Sequence, residues 1–287
     1  MKLKDLEIGS RVRDAEKDLI FFVAAQDHPG YGGTTLFSEK IVELGCLDAA
    51  EPEHPAQGRP PVFYQAHEYG WNDYAASNVH QWLNGEGEDW YQPSHPYDCP
   101  PQDPYLRYGE VPYTRRPGFL TGFSGLFREA LLEVEVPFLR RTGLDQGELA
   151  SVRAKVFLPS RTEMGKGDEH GIPEGKMMPL FYDHSIYRTT MTEPLLEKYG
   201  RAINPGRETA PYDAPQIYDP KYGWWYWVRT ANMGYVFLNR VASPYGALSY
   251  TYSNNDSVGI RPMLCLDGEL EVESNGRFME IFTITGT

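Results

Sequence analysis

The chain has 287 residues, of which 41% are hydrophobic and 14% are aromatic. It therefore carries enough apolar surface for a sizeable core, and a wholly disordered chain is excluded. The formal net charge of −13 repels phosphate backbones and anionic lipid head groups, so neither nucleic acid nor insertion into a membrane is expected.

The first third of the chain has the pattern of strands joined by loops. Residues 8–12 resemble a turn leading into a strand, residues 19–24 form an apolar run of buried-strand length, and residues 34–37 follow a glycine turn. Prolines then predict a loop over residues 48–68. We expect one domain over residues 1–287, with insertions near 48–68, 92–117 and 168–220.

Two helices are predicted between the insertions. In residues 77–84, Ser77 or Asn78 can cap the helix, and Val79, Trp82 and Leu83 share one apolar face. Residues 124–132 predict a second helix. A strand is expected to begin at residue 134 and another to cover residues 155–160.

The second half of the chain starts with a capping-box pattern. Ser160 and Glu163 have the right spacing for a short helix, limited by the glycines that follow. A further helix is expected near residues 194–199. Residues 224–266 have a strand–turn–strand pattern, and residues 278–284 predict a closing strand.

Three cysteines, Cys46, Cys99 and Cys265, are widely spaced and odd in number, which favours a reducing compartment over a disulfide framework. The N-terminus lacks the apolar segment of a signal peptide, and no stretch is long enough for a membrane span. We therefore expect synthesis in the cytoplasm, with any exposure outside the cell arising through assembly, for example in a virion, or through lysis.

Four segments carry a family resemblance: KLKDLEIGSRV (2–12), SNVHQWLN (77–84), VFLPSRTEMG (156–165), and WWYWVRT (224–230) with VGIRPML (258–264). In this order they resemble a large family of gut bacteria and their phages, marked by a helix ending in WLN, a VFLLS-x-x-E strand-turn and a final WLRTP…GVRPA block. This chain departs from that pattern at Pro159 and Ala231. Neither departure removes a chemical group.

The resemblance implies an α+β, C-type-lectin-like fold, related to formylglycine-generating-type domains and to the variable proteins of diversity-generating retroelements. It implies a small mixed or antiparallel sheet, two or more short helices and long loops. It also implies a non-enzymatic, phage- or prophage-associated protein of the receptor-binding or tail-tip type. Alternatives are a structural virion or assembly subunit and an enzyme of the formylglycine-generating type.

The region 224–266 is the predicted ligand-display region. Along it, Val236, Leu238 and Val241 suit a core-facing side, and the intervening residues would face outward. Tyr, Asn and Ser are residues that binding loops favour. The predicted ligand-binding residues are Tyr235, Phe237, Asn239, Ser243, Tyr245, Ser249, Tyr250, Tyr252, Asn254 and Asn255. The expected partner is a protein or carbohydrate ligand on a bacterial surface, and an oligomer or virion partner is the other expectation. The alternative is that these are ordinary strand and turn residues.

Other groups have a structural and a functional interpretation. The aromatic run 224–227 could stack sugars, but core packing is favoured; Arg229 and Arg261 could clamp an anion, but buried pairing with an acid is favoured. Asn254, Asn255 and Asp256 could bind calcium, but a turn is favoured. The cysteines match no catalytic pair, and no two histidines have helical ligand spacing. We therefore expect no catalytic residues, no metal and no cofactor.

Overall fold

The computed structural model describes residues 1–55, 66–140, 147–199, 223–277 and 279–286. Strands dominate the regular structure of these residues. The strands are β1 (Arg11–Arg13), β2 (Ile20–Gln26), β3 (Thr34–Ser38), β4 (Glu43–Leu44), β5 (Val134–Arg140), β6 (Glu148–Ala154), β7 (Val156–Phe157), β8 (Tyr226–Ala231), β9 (Leu238–Ala242), β10 (Leu248–Tyr252), β11 (Gly259–Ile260), β12 (Met263–Leu266), β13 (Glu271–Ser274) and β14 (Ile281–Gly286).

The helices are short. The α-helices are α1 (Ala66–Tyr69), α2 (Asn78–Asn84), α3 (Gly125–Glu129) and α4 (Glu193–Tyr199), and single 3-10 turns cover Leu3–Asp5, Tyr74–Ala76, Pro179–Tyr182 and His184–Tyr187. None of the helices within the described ranges is long and apolar enough to span a bilayer.

The largest sheet has seven strands in the order β13-β14-β1-β2-β3-β12-β7. It is mixed, because β1 runs parallel to β14 while its other pairs are antiparallel. Side chains such as Phe21, Leu36 and Leu264 are completely buried in its core. Residues near the two ends of the chain therefore meet inside one sheet.

A second sheet has five strands in the order β10-β9-β8-β11-β4. Every residue of β8 is buried, whereas β10, at the edge, is half-exposed along its length. Strands β5 and β6 form a separate two-stranded hairpin. The expected α+β class is confirmed, but the prediction of a small sheet is wrong, since the strands form sheets of seven, five and two.

The helix predicted over residues 77–84 is confirmed as α2. The Ser77 hydroxyl accepts a hydrogen bond from the His80 N–H at 3.3 Å and caps the helix. Val79, Trp82 and Leu83 are buried on one face. The indole N–H of Trp82 donates to the Pro117 carbonyl at 3.0 Å, which fixes the end of the 92–117 insertion against the helix.

Other boundaries differ from the prediction. The helix expected over 124–132 ends at Glu129, because Leu131 then forms a bridge to Leu266 of β12. The strand expected over 155–160 is reduced to Val156–Phe157. The loop predicted over 48–68 contains the start of α1, while its residues 56–65 lie outside the described part. The closing strand starts at Ile281, and Phe278 also lies outside the described part.

The short helix predicted after Ser160 does not form. The two capping hydrogen bonds are present, from Glu163 N–H to the Ser160 hydroxyl at 3.1 Å and from Ser160 N–H to the Glu163 carboxylate at 2.9 Å. The backbone nevertheless turns, and Gly165 adopts a positive φ of 67°. The Glu163 carboxylate also binds Arg229, so the local capping pattern serves a buried ion pair instead of a helix.

Candidate functional site

The structure divides the ten predicted binding residues by exposure. Tyr235, Tyr245 and Tyr250 are exposed at 45%, 61% and 46%, and Ser249 and Tyr252 are half-exposed. The remaining five are buried: Phe237, Asn239, Ser243, Asn254 and Asn255. The expectation that these residues face outward is therefore wrong for five of the ten.

The cause is that side chains around the start of β9 are covered on both sides: Phe237, just before β9, packs against the Tyr69 ring at 5.5 Å, and the Asn239 side chain binds the Val228 carbonyl. Val236, Leu238 and Val241 are buried as predicted, but the alternating Phe237 and Asn239 are buried too. Asn72 lies against this segment and donates from its side chain to the carbonyls of Tyr235 at 2.6 Å and Leu238 at 2.9 Å. Alternation predicts two faces, but it does not tell which of them another segment covers.

The buried polar residues hold turns and strands together. Asn239 donates from its side chain to the Val228 carbonyl at 2.6 Å. Ser243 accepts from the N–H groups of Tyr245 and Ala247 at 3.2 and 3.1 Å. Asn255 accepts from the hydroxyl and N–H of Ser257 at 2.8 and 3.1 Å. These contacts support the alternative that such residues are structural.

Tyr252 belongs to a cluster of rings that the sequence did not reveal. Its ring centroid lies 4.3 Å from that of Tyr69 and 5.9 Å from that of Phe237. Phe237 in turn meets Tyr235 edge-on at 5.7 Å. Three of the predicted residues thus converge, together with a tyrosine from the end of α1.

Arg107 completes this arrangement. Its guanidinium carbon lies 4.1 Å from the centroid of the Tyr252 ring, within range of a cation–π contact, and its Nε donates to the Tyr108 hydroxyl at 2.9 Å. Among the described residues, its two terminal nitrogens have no hydrogen-bond or ion-pair partner. A stacked guanidinium therefore presents an edge of free N–H donors.

These residues border a groove with a volume of about 440 Å³. We call it the tyrosine–arginine groove; its lining residues are Ala50, Glu68, Tyr69, Pro104, Leu106, Arg107, Tyr108, Tyr252 and Asn254. They come from four parts of the chain: Ala50, the end of α1, the 92–117 insertion, and the end of β10 with the turn after it. Spacing along the chain gives no signal for such a site.

The walls of the groove are joined by main-chain contacts. The Arg107 N–H donates to the Asn254 carbonyl at 2.9 Å, and the Asn254 N–H donates to the Tyr69 carbonyl at 2.9 Å. The Asn254 side chain donates to the Glu68 carbonyl at 3.1 Å, while its buried Oδ1 has no donor among the described residues. One asparagine therefore connects two walls and retains an unused acceptor.

Asp256 fixes the insertion that carries Arg107. Its carboxylate accepts from the N–H groups of Tyr108, Glu110 and Val111 at 3.1, 2.8 and 2.8 Å. Together with the Asn255–Ser257 contacts, this favours the turn interpretation of residues 254–256 over calcium ligation. The loop bearing Arg107 is held by charge-assisted hydrogen bonds.

The Tyr69 hydroxyl is a permanent donor at neutral pH. Its hydrogen bond to the Glu68 carboxylate, followed by burial, raises the pKa of Tyr69 to about 12. Among the described residues no acid lies at ion-pairing distance from Arg107, although the Glu68 carboxylate lines the same groove.

A second cluster was also missed by the sequence. The buried carboxylate of Glu51 lies 3.1 Å from Nδ1 of His54 and 3.0 Å from Nε2 of His95. Burial raises the pKa of Glu51 and lowers that of His54 to about 4. Burial also lowers the pKa of His95, but contact with Glu51 outweighs it and the net shift is upward.

The Glu51 cluster joins the 48–55 segment to the 92–117 insertion. Helical spacing could not reveal it, because its histidines belong to different loops. Within the described ranges, no group of three or more His, Cys, Asp or Glu side chains is placed to hold a metal ion. The contacts of Glu51 with His54 and His95 join the two loops.

The motif residues form the core. Arg229 is completely buried and binds the Glu163 carboxylate through two hydrogen bonds of 2.7 and 2.8 Å, as predicted. The prediction that Arg261 pairs with an acid is wrong: it donates to the carbonyls of Ser38, Ile186 and Glu39 at 2.9, 2.7 and 3.1 Å. Carbonyl oxygens at the end of β3 and in the 3-10 turn His184–Tyr187 take the place of the expected carboxylate.

The aromatic run is core scaffold, as favoured. Trp224 and Trp227 are buried, and their indole N–H groups donate to the carbonyls of Ser257 and Gly45, each at 2.8 Å. Tyr226 is also buried, while Trp225 is half-exposed. These rings are therefore not a free stacking surface.

The cysteines are free thiols. Cys46 follows β4 of the five-stranded sheet, and Cys265 lies in β12 of the seven-stranded sheet; both are buried. Burial raises the pKa of the Cys46 thiol well above its usual range and that of Cys265 to about 12. Neither thiol is prepared to act as a thiolate.

Comparison with known proteins gave one positive result. No curated protein and no solved structure matched the chain. A family model described as a domain of unknown function matches residues 32–268, a range that includes α1, the 92–117 insertion and β10. The chain therefore belongs to the DUF6273 family.

Proposed function

We propose that the chain is a non-enzymatic ligand-binding protein of C-type-lectin-like fold, and that its ligand lies in the tyrosine–arginine groove. The observation that carries the proposal is Arg107, whose guanidinium is stacked on Tyr252 while its terminal nitrogens have no partner in the described part of the chain. A polar group held in place with unused donors is typical of a site that recognises a ligand.

The fold assignment is supported by the four sequence motifs and by mixed sheets with short helices and long loops. The motif residues Arg229 and Trp227 have structural partners, which suits a scaffold that holds variable loops. The binding assignment is independent of this, since it depends on the groove alone.

A non-enzymatic function is favoured over chemistry of the formylglycine-generating type. That chemistry needs a pair of reactive cysteines. Here Cys46, after β4, and Cys265, in β12 of the other sheet, are both buried, and burial raises the pKa of each thiol. The groove itself is lined by stacking and hydrogen-bonding groups. Such groups bind and orient a ligand without a nucleophile.

The proposed biological role is recognition of a partner by a phage or prophage protein of the receptor-binding or tail-tip type. It is supported by the sequence resemblance. If a retroelement diversifies this gene, variation at the half-exposed Tyr252 would act directly on the groove. Tail genes, or a reverse transcriptase with a near-copy of the 3′ end beside the gene, would support this role.

The test compares two tyrosines of the same strand on a glycan and peptide array. Tyr252 lines the groove, whereas Tyr250 is exposed and lies near Arg240 instead. We expect Tyr252→Ala to weaken binding of an array ligand by about 2 kcal/mol, as a buried aromatic contact does. Tyr250→Ala is the matched control and should bind like the wild type.

Two results would contradict the proposal. One is equal loss of array binding in both variants, which would move the site to the outer surface of β10. The other is a large fall in the melting temperature of Tyr252→Ala with binding intact, which would make Tyr252 a core residue. Melting curves of both variants separate these outcomes.

A further inference from the structure

The chemistry of the tyrosine–arginine groove restricts its ligand. Arg107 is the one cation among the described residues that line it. Glu68 is the acid of the lining, and no ion pair joins its carboxylate to Arg107. Because Arg107 has no ion-pair partner in the described part of the chain, an anionic group on the ligand would be the first acid to pair with it.

The orientation of Arg107 selects the type of anion. Stacking on Tyr252 at 4.1 Å and the Nε contact with the Tyr108 hydroxyl at 2.9 Å fix the plane of the guanidinium. The edge formed by the two terminal nitrogens remains available. Two parallel N–H donors match the two oxygens of a carboxylate, which binds such an edge with two hydrogen bonds.

The other residues of the groove favour a compact ligand that carries hydroxyl groups. The exposed carboxylate of Glu68 lines the groove and is an acceptor for such donors. The apolar side chains of Pro104 and Leu106 and the ring of Tyr108 provide a surface for C–H groups.

We infer that the groove binds an acidic sugar, a pyranose that carries a carboxylate, with the carboxylate on Arg107 and ring hydroxyls directed to Glu68. A volume of about 440 Å³ lies in the range of small-molecule sites. This inference rests on the proposed function, since it names the ligand class of the same groove.

The test uses two sugars that differ only in the charged group. Methyl β-D-glucuronide carries the carboxylate, and methyl β-D-glucoside has a hydroxymethyl group in its place. Ligand-observed NMR titration of the full chain should show binding of the glucuronide about tenfold tighter than that of the glucoside, because only the former can pair with Arg107.

Three variants assign the difference to Arg107. Arg107→Gln should bring the glucuronide to the affinity of the glucoside. Arg107→Lys keeps the charge but loses the planar edge, so it should restore only part of the preference. Arg153→Gln is the control: this arginine lies on the β5–β6 hairpin with a side chain 68% exposed, and its loss changes the net charge equally.

The outcomes distinguish failure of the inference from failure of the proposed function. If both sugars bind equally and Tyr252→Ala abolishes binding of both, the groove binds sugars but acidic selectivity is wrong. If N-acetylaspartate binds through Arg107 and the glucuronide does not, the ligand is a peptide carboxylate and the sugar inference is overturned. If none of these probes binds and the array ligand is insensitive to Tyr252→Ala, the groove is not the binding site.

Discussion

Replacing Arg229 with methionine should remove most of the stability of the fold. The side chain is completely buried, and it donates to the Glu163 carboxylate and to the carbonyls of Pro137 and Leu158, all at 2.7–2.8 Å. Methionine fills similar space but has no donors. The variant would leave a buried carboxylate and two buried carbonyls without the groups that compensate their loss of water.

The magnitude follows from these partners. Breaking a buried ion pair by removing one member costs about 3–5 kcal/mol, and each buried acceptor left without a donor adds about 1–3 kcal/mol. We therefore expect Arg229→Met to lower the free energy of unfolding by roughly 5 kcal/mol or more, comparable with the whole stability of many domains. Glu163→Gln added to this variant should recover part of the loss, because it removes the unpaired charge.

The assay is urea denaturation of the wild type, Arg229→Met and Arg229→Met/Glu163→Gln, followed by tryptophan fluorescence. Unchanged m values would show that the variants unfold to the same extent. A loss below about 1 kcal/mol in Arg229→Met would refute the reasoning, because a buried and unpaired carboxylate cannot be accommodated so cheaply. A double variant less stable than the single one would equally contradict it.

Three further predictions concern a core tryptophan, a buried carboxyl group and metal binding. Trp82→Ala should lower the free energy of unfolding by about 3–5 kcal/mol in urea titrations, since this side chain of α2 is packed in the core and only 5% exposed. A loss near zero would contradict its core position. Burial raises the pKa of Glu174 to about 7 from 4.5. The folded state then holds this proton more tightly than the unfolded state, so protonated Glu174 stabilises the fold fully below pH 4.5. As the pH rises from 4.5 to about 7 this stabilisation is lost, and the loss amounts to about 3 kcal/mol. Glu174→Gln should flatten this part of the pH profile, and identical profiles for variant and wild type would refute it. Chelation should leave the melting temperature unchanged, whereas a fall that calcium reverses would reveal a metal site.

The local patterns predicted the elements that depend on nearby residues. The cap at Ser77 and the apolar face of α2 need only a few neighbouring side chains, and both were confirmed. The buried pairing of Arg229 was anticipated from its strand context. Periodicity shows which residues lie on the same face of an element. In α2 the apolar face alone indicates which side chains are buried.

The candidate site could not be predicted in the same way. Phe237 is buried against the ring of Tyr69, 168 positions earlier, and no local pattern contains that information. Arg107 and Tyr108 lie in an insertion whose prolines indicated only a loop. Their position beside Tyr252 depends on the hydrogen bonds of Asp256, which form only when the chain is folded.

The parallel pairing of β1 with β14 also has a consequence for synthesis. Contacts such as that between Arg13 and Thr283 join residues 270 positions apart. On a ribosome, β1 and β2 would emerge long before their neighbour in the sheet, leaving one edge of β1 unpaired. Such an edge can recruit strands from other chains, and closing so long a loop is slow. We expect chains interrupted before β14 to aggregate unless a chaperone protects this edge.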